Sequence, residues 1–138
     1  MLTRPRVRMP NIVCALLAAL LGVALAAQDA MSKDTGLVFV SSSFDSATLL
    51  AIKPKTGEIA WHYQFAPNDV WDWDSWENIL GEVRMDGQMR KVVMHMHRGG
   101  LLYVLDRATG KLLSAQPYAK VNWATHVDLA TGRPVESQ

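Results

Sequence analysis

A chain of 138 residues with 14 basic and 13 acidic side chains has room for one ordinary domain, and its formal charge of +1 provides no cationic surplus for a phosphate backbone. Nucleic acid is therefore not an expected partner. One cysteine, Cys14, excludes both an internal disulfide framework and a cysteine-held metal, and 49% hydrophobic residues exclude wholesale disorder.

The chain opens with a basic segment, Arg4, Arg6 and Arg8, followed by an apolar run of 16 residues from Ile12 to Ala27. Ala24-Leu25-Ala26 offers a small-x-small cleavage site within that run. The pattern predicts a secretory signal peptide over residues 1–27, helical in its apolar part, that exports the chain to the periplasm. A membrane anchor fits less well, because a span needs ~20 apolar residues and no basic flank follows. Cleavage removes three arginines and no acid, leaving 11 basic against 13 acidic groups, a charge of −2, and no stable membrane span. Cys14 lies inside the apolar run without the small-residue context of a lipoprotein site, so the mature chain has no thiol. A start at Met31 would remove the leader and with it the argument for export. Residues 28–36 read as a linker.

From residue 37 onward, short apolar runs rich in Val, Leu, Tyr and Trp alternate with turn signals. Strands are predicted at Leu37–Ser42, Thr48–Lys53, Ile59–Gln64, Asn78–Val83, Val92–His97, Leu101–Asp106 and Lys111–Ala115. Asp86-Gly87 and Gly99-Gly100 fall between neighbouring runs, where residues tolerant of positive φ let a hairpin match the strand twist. No window of helical length keeps a 3.6-residue period, so little helix is expected.

The strongest internal signal is a repeat. Ala51-Ile52-Lys53-Pro54-Lys55-Thr56-Gly57-Glu58-Ile59-Ala60-Trp61 recurs in looser form as Val104-Leu105-Asp106-Arg107-Ala108-Thr109-Gly110-Lys111-Leu112-Leu113-Ser114. A remnant, Asp128-Leu129-Ala130-Thr131-Gly132-Arg133, follows near the C-terminus. Each copy reads as strand, Thr-Gly turn, strand, with glycine in a backbone conformation that a Cβ would penalise. Met94-His95-Met96-His97 places His95 and His97 on one side of a strand. With no cysteine and only His62 and His126 elsewhere, a core or strand-edge role is favoured over a metal-ligand pair.

The repeat, with Trp61 closing its first copy, resembles the tryptophan-docking motif of PQQ-type propellers, in which that Trp packs flat against the neighbouring blade. A single blade cannot bury both faces, so docking of this kind is what would hold successive sheets together. A second resemblance covers roughly Trp61 to Glu136. Trp61-His62-Tyr63-Gln64-Phe65-Ala66-Pro67-Asn68-Asp69-Val70-Trp71-Asp72-Trp73-Asp74 is similar to the segment of PQQ-dependent methanol and ethanol dehydrogenases that carries the catalytic aspartate. Arg90 to Arg107 is similar to the stretch that carries the cofactor-contacting basic residue, and Val121 to Thr125 with Thr131 to Pro134 extend the match. WD40 repeats fit less well, because the Gly-His signature expected upstream in each ~40-residue unit is missing.

What the resemblance implies is an all-β fold: a partial β-propeller over residues 37–138, about two to three blades of an eight-bladed quinoprotein ring. It assigns Asp72 as the base that takes the alcohol's proton and Arg98 as the contact to the quinone oxygens of PQQ. Trp71 and Trp73 would raise the basicity of Asp72 by lowering the local dielectric. Gly99 stands where relatives often carry Asn. Asp74 resembles the extra metal ligand of lanthanide-using members; Asp72 and Asp74 leave one face of an extended backbone and so both reach one hard cation, Ca²⁺ or a lanthanide, with a solvated turn carboxylate as the alternative for Asp74. The implied reaction is oxidation of a small primary alcohol to an aldehyde, with a periplasmic cytochrome c as electron acceptor.

Adjacent cysteines, a stacking Trp and Glu and Asn metal ligands that the family draws from earlier blades have no counterpart in this sequence. The 111 residues after the leader supply two to three units of ~40–45 residues, against the ~4–8 a closed ring needs, so the expectation is a truncated or rearranged piece, inactive alone. A non-catalytic scaffold of the same repeats, or a decayed fragment without function, stand as alternatives.

Overall fold

The computed structural model describes residues 32–42, 47–71, 73 and 78–138. The leader expected over residues 1–27 lies outside the described residues, as do Asp72 and Asp74.

Nine strands and no helix make up the described residues: β1 (Val38–Ser42), β2 (Thr48–Ile52), β3 (Ile59–Gln64), β4 (Asn78–Met85), β5 (Gln88–His97), β6 (Leu101–Asp106), β7 (Leu112–Pro117), β8 (Ala124–Asp128) and β9 (Arg133–Glu136). They form antiparallel meanders of three, four and two strands, in the orders β1-β2-β3, β4-β5-β6-β7 and β8-β9. Every expected strand is present, within a few residues at its ends. The largest shift is in β5, which begins at Gln88 rather than Val92. Asp86 and Gly87 adopt φ of 50° and 78°, a two-residue turn that pairs Met85 with Gln88 at once, so the exposed stretch Gln88 to Lys91 extends the ladder despite its polarity.

The Thr-Gly repeat is a recurring turn with a recurring hydrogen-bond set. Gly57, Gly110 and Gly132 donate their N–H groups to the carbonyls of Lys53, Asp106 and Asp128, at 2.8, 2.9 and 2.7 Å. In each copy the Thr hydroxyl accepts the N–H of the residue after the glycine: Thr56 from Glu58, Thr109 from Lys111 and Thr131 from Arg133. Copies two and three carry Asp at the turn's start, and its carboxylate accepts the N–H two residues on, as an Asx turn does. The first copy has Lys53 there and closes with a Lys53–Glu58 ion pair at 3.1 Å. The register slips at Ala51/Ile52 and at Val104/Leu105, equivalent positions of copies one and two. The third copy, though short, forms the full β8–β9 hairpin.

Alternation buries one face of each meander. Phe39, Leu49 and Ala51 of the first sheet meet Val93, Tyr103, Leu105 and Leu112 of the second, with Phe65 between them. The docking expected of Trp61 is realised at Gly110, where a Cβ would stand 2.6 Å from Trp61 Cε3. The indole lies on the glycine, so the turn of one sheet seats the tryptophan of the sheet before it. Tyr63, two residues on, meets the next turn in the same way, donating its hydroxyl to Gly132 O at 2.5 Å.

Residues 32–36, read as linker, form a turn docked on the second sheet. Asp34 accepts from Ser32 and from Arg107 Nη2 at 2.8 Å, and lies 3.0 Å from Lys91 Nζ. The Ser32 hydroxyl, then Lys91, hold its carboxyl well below the ordinary carboxylate range.

Candidate functional site

The segment after β3 leaves the sheet at Phe65 and is shaped by Asp69. Its carboxylate accepts the backbone N–H of Trp71 at 2.8 Å and of Trp73 at 2.7 Å, with Asn68 just before it at φ 60°. Two anchored amides place the indoles of Trp71 and Trp73 face to face, with centroids 4.5 Å apart and planes at 15°. Asp72 sits between them in sequence, outside the described residues.

The aromatic wall continues onto the second sheet. Trp73 lies edge-on to His97 at 5.3 Å and against Trp123 at 5.0 Å. His95 stacks on Phe65 at 4.1 Å, and its Nδ1 lies 3.2 Å from Asn78 Oδ1; the Asn78 amide in turn donates to Ser41 Oγ at 2.7 Å, tying β4 to β1. Both imidazoles are completely buried, which supports the core reading over that of a metal-ligand pair. Burial pushes the His97 imidazole down to about 4, with the Asp69 carboxylate opposing in the smaller sense.

Arg98 is the first residue of the β5–β6 turn, Arg98-Gly99-Gly100, and is exposed. The turn is held from three sides. His97 O accepts Gly100 N–H at 2.9 Å and the Tyr118 hydroxyl at 2.8 Å, His97 Nδ1 accepts Gly99 N–H at 3.1 Å, and Gly99 O accepts Trp123 Nε1–H at 2.8 Å. Gly100 O takes Tyr118 N–H at 3.0 Å. A Cβ at Gly99 would stand 2.9 Å from both His97 Nδ1 and Trp123 Nε1, so no larger residue, Asn included, fits without moving those rings.

The described neighbours of Asp72 and of Arg98 are thus packed together: Trp73 touches His97, and Trp123 binds both sides. An exposed cation on a rigid turn beside three indoles suits a planar guest with acceptor oxygens. Among the described residues no group of three or more His, Cys, Asp or Glu side chains is gathered to hold a metal ion. A groove of about 350 Å³ opens beside Trp123, lined by Gln64, Pro67, Asn68 and Arg133. A larger one, about 520 Å³, runs from Leu101 and Ala115 to Val127 and carries His126 as its titratable group. Sequence reasoning did not find Asp69, Tyr118 or the clamp on Gly99. Only Asp69 left a trace, as an Asx-turn residue two positions before Trp71.

A family described as PQQ, glucose/ethanol/alcohol dehydrogenase, β-propeller domain, matches residues 29–124. Among curated relatives, the quinohemoprotein alcohol dehydrogenase ADH IIB of Pseudomonas putida is 53% identical over 92 residues, covering 66% of this chain and 13% of that protein. The 1-butanol dehydrogenase (cytochrome c) of Thauera butanivorans is 44% identical over 93 residues, 67% of this chain and 13% of its own length. Of solved structures, the quinohemoprotein alcohol dehydrogenase ADHIIG from Pseudomonas putida HK5 superposes with a TM-score of 0.70 at 34% identity, covering 77% of this chain and 18% of that one. A europium-containing methanol dehydrogenase gives the same TM-score of 0.70 and 34% identity, with 77% and 21% covered. The chain therefore spans about an eighth of the length of these curated relatives.

Proposed function

Because the chain belongs to the PQQ-dependent alcohol dehydrogenase β-propeller family, we propose that it contributes one wall of the quinone site of a periplasmic dehydrogenase for small primary alcohols. PQQ, when bound, supplies the hydride acceptor. Arg98 donates hydrogen bonds to the quinone oxygens, where a fixed cation is worth more than one that must be reoriented. Asp72 takes the alcohol's hydroxyl proton, and the indoles of its sequence neighbours Trp71 and Trp73 lower the local dielectric, which favours a basic carboxylate. Asp72 and Asp74 together ligate one hard cation, Ca²⁺ or a lanthanide, through carboxylate oxygens.

The observation that carries this reading is the packing of Trp73 on His97, which brings the immediate neighbours of Asp72 and Arg98 together across 24 positions of sequence. The residues present fit the cofactor's chemistry: Arg98 offers a charged donor, and Trp71, Trp73 and Trp123 offer flat apolar surface to a conjugated ring system. The likeness to a europium-containing enzyme supports the lanthanide alternative, and a relative named for cytochrome c supports a cytochrome c as acceptor. With about an eighth of its relatives' length, the chain by itself is expected to take up cofactor without turning over alcohol.

Titration of the full chain with PQQ, in Ca²⁺ and separately in Tb³⁺, tests the proposal. Saturable change in the cofactor's absorbance is expected, with Arg98→Ala weakening uptake by about tenfold or more, the scale of a charge-assisted hydrogen bond. Trp71 and Trp73 flank the proposed ligands, so indole-sensitised Tb³⁺ emission is expected and should vanish in Asp74→Ala. Absence of uptake under either ion overturns the reading.

A further inference from the structure

We propose that His97 is the positioning residue for Arg98: its Nδ1 accepts the Gly99 N–H and, with Trp123 and Tyr118, fixes the turn from which the guanidinium extends. The inference rests on Arg98 being the quinone contact, and it adds three residues to that role.

Two hairpin turns of the same sheet make the comparison. At Asp86-Gly87 the side-chain contact to the turn's backbone is Arg84 Nη1 to Gly87 O, at 3.2 Å between exposed groups. A Cβ on Gly87 would meet nothing within 4 Å. At Arg98-Gly99-Gly100 the imidazole of His97, the indole of Trp123 and both the hydroxyl and the amide of Tyr118 converge on four backbone groups. The first turn merely reverses the chain. The second holds one residue in place, and a side chain that must meet a ligand oxygen within a few tenths of an ångström needs such a base.

His97 is itself immobilised. Trp73 and Tyr103 stand edge-on to its ring at 5.3 and 6.1 Å, with interplanar angles of 85° and 88°, and Phe65 lies at 5.8 Å. Accepting at Nδ1 puts the proton of the neutral ring on Nε2, and that atom is buried with no hydrogen-bond partner among the described residues. A phenylalanine would fill the same apolar niche without an orphaned donor. Packing alone therefore does not account for histidine here, and among the described residues the contact that needs its nitrogen is the bond to Gly99. Gly99 belongs to the same device, since any Cβ there would collide with both clamping rings.

The test uses the full, isotope-labelled chain and needs no cofactor for its first arm. In His97→Phe, protection of the Gly99 amide from exchange should fall by up to about tenfold, the scale of one net hydrogen bond. Arg98 Nε–Hε should become mobile on the ps–ns scale, with the Gly110 amide and the thermal midpoint unchanged. In His97→Asn, whose side-chain oxygen can accept the N–H two residues on, both signals should return. Trp123→Phe, which removes the donor to Gly99 O and part of the ring packed on Trp73, should loosen the same turn and decides the matter if His97→Phe does not fold. Wild-type Gly99 protection and Arg98 order in His97→Phe, or in Trp123→Phe, overturn the proposal. In a second arm, PQQ affinity of the Arg98→Ala and His97→Phe variants should be non-additive, because His97 acts through Arg98. An affinity insensitive to Arg98→Ala sinks the quinone-contact reading, while the first arm still decides the positioning role.

Discussion

His97 couples burial to charge, and its titration has a stability consequence with a definite sign. In the unfolded chain an imidazole protonates near 6.5, whereas burial holds the folded one at about 4. Between those values the unfolded state binds the extra proton, so stability is full above about 6.5 and falls as the pH drops toward 4. The difference corresponds to ~3 kcal/mol at most. Urea midpoints at pH 7 and pH 4.5 should separate far more for the wild type than for His97→Phe, and equal separations would rule His97 out as the source. Asp34, whose carboxyl is depressed, contributes stability above its ordinary range and loses it only in stronger acid, so the two effects occupy different windows. Of these residues the sequence singled out Arg98 and the face shared by His95 and His97. Why Gly99 must be glycine was not legible, because the reason is the position of Trp123, 24 residues away.

At the scale of the element, a glycine of positive φ can close a turn alone or also seat a ring, and substitution separates the two. Gly87 and Gly110 both have positive φ, 78° and 73°, but open space surrounds the first and the Trp61 indole covers the second. Gly87→Ala should cost about 1 kcal/mol, the penalty of a Cβ in the left-handed region. Gly110→Ala adds a collision with a ring that must move, for a total of roughly 2–4 kcal/mol. Thermal denaturation of the two variants checks this, and equal losses would mean that Trp61 does not dock as described. Seven strands were legible to within a few residues and β8–β9 only as a remnant of the repeat, since alternation and turn chemistry act over two to five positions. The start of β5 was not, because the Asp86-Gly87 turn imposes pairing on a polar stretch whose side chains give no strand signal.

Across the whole molecule, the segment at residues 32–36 is joined to the second sheet by Asp34. Arg107 is buried, its Nε has no partner among the described residues, and Asp34 takes its Nη2. Asp34→Ala leaves that guanidinium uncompensated and should cost on the order of 1–3 kcal/mol, below the figure for a deeply buried pair because Asp34 is partly exposed. Limited proteolysis should then cut near residue 34 first, while Lys91→Ala, which removes a mostly exposed partner, should change little. Cutting at the wild-type rate in Asp34→Ala would show that the turn is held by other contacts. The fold class follows from the repeat, but attachment of the supposed linker does not, since Asp34 and Arg107 are 73 positions apart.

By itself, the amino-acid order determined an all-β meander with three Thr-Gly hairpins and a family-like Trp-rich segment. These features depend on near neighbours: pleat, turn conformation and side-chain-to-backbone bonds within a few residues. The tertiary structure alone decided which rings meet, setting Trp61 on Gly110, Tyr63 on Gly132 and Trp73 on His97. Such contacts depend on how one twisted sheet lies over the next, and burial between sheets rewards shape irrespective of separation along the chain.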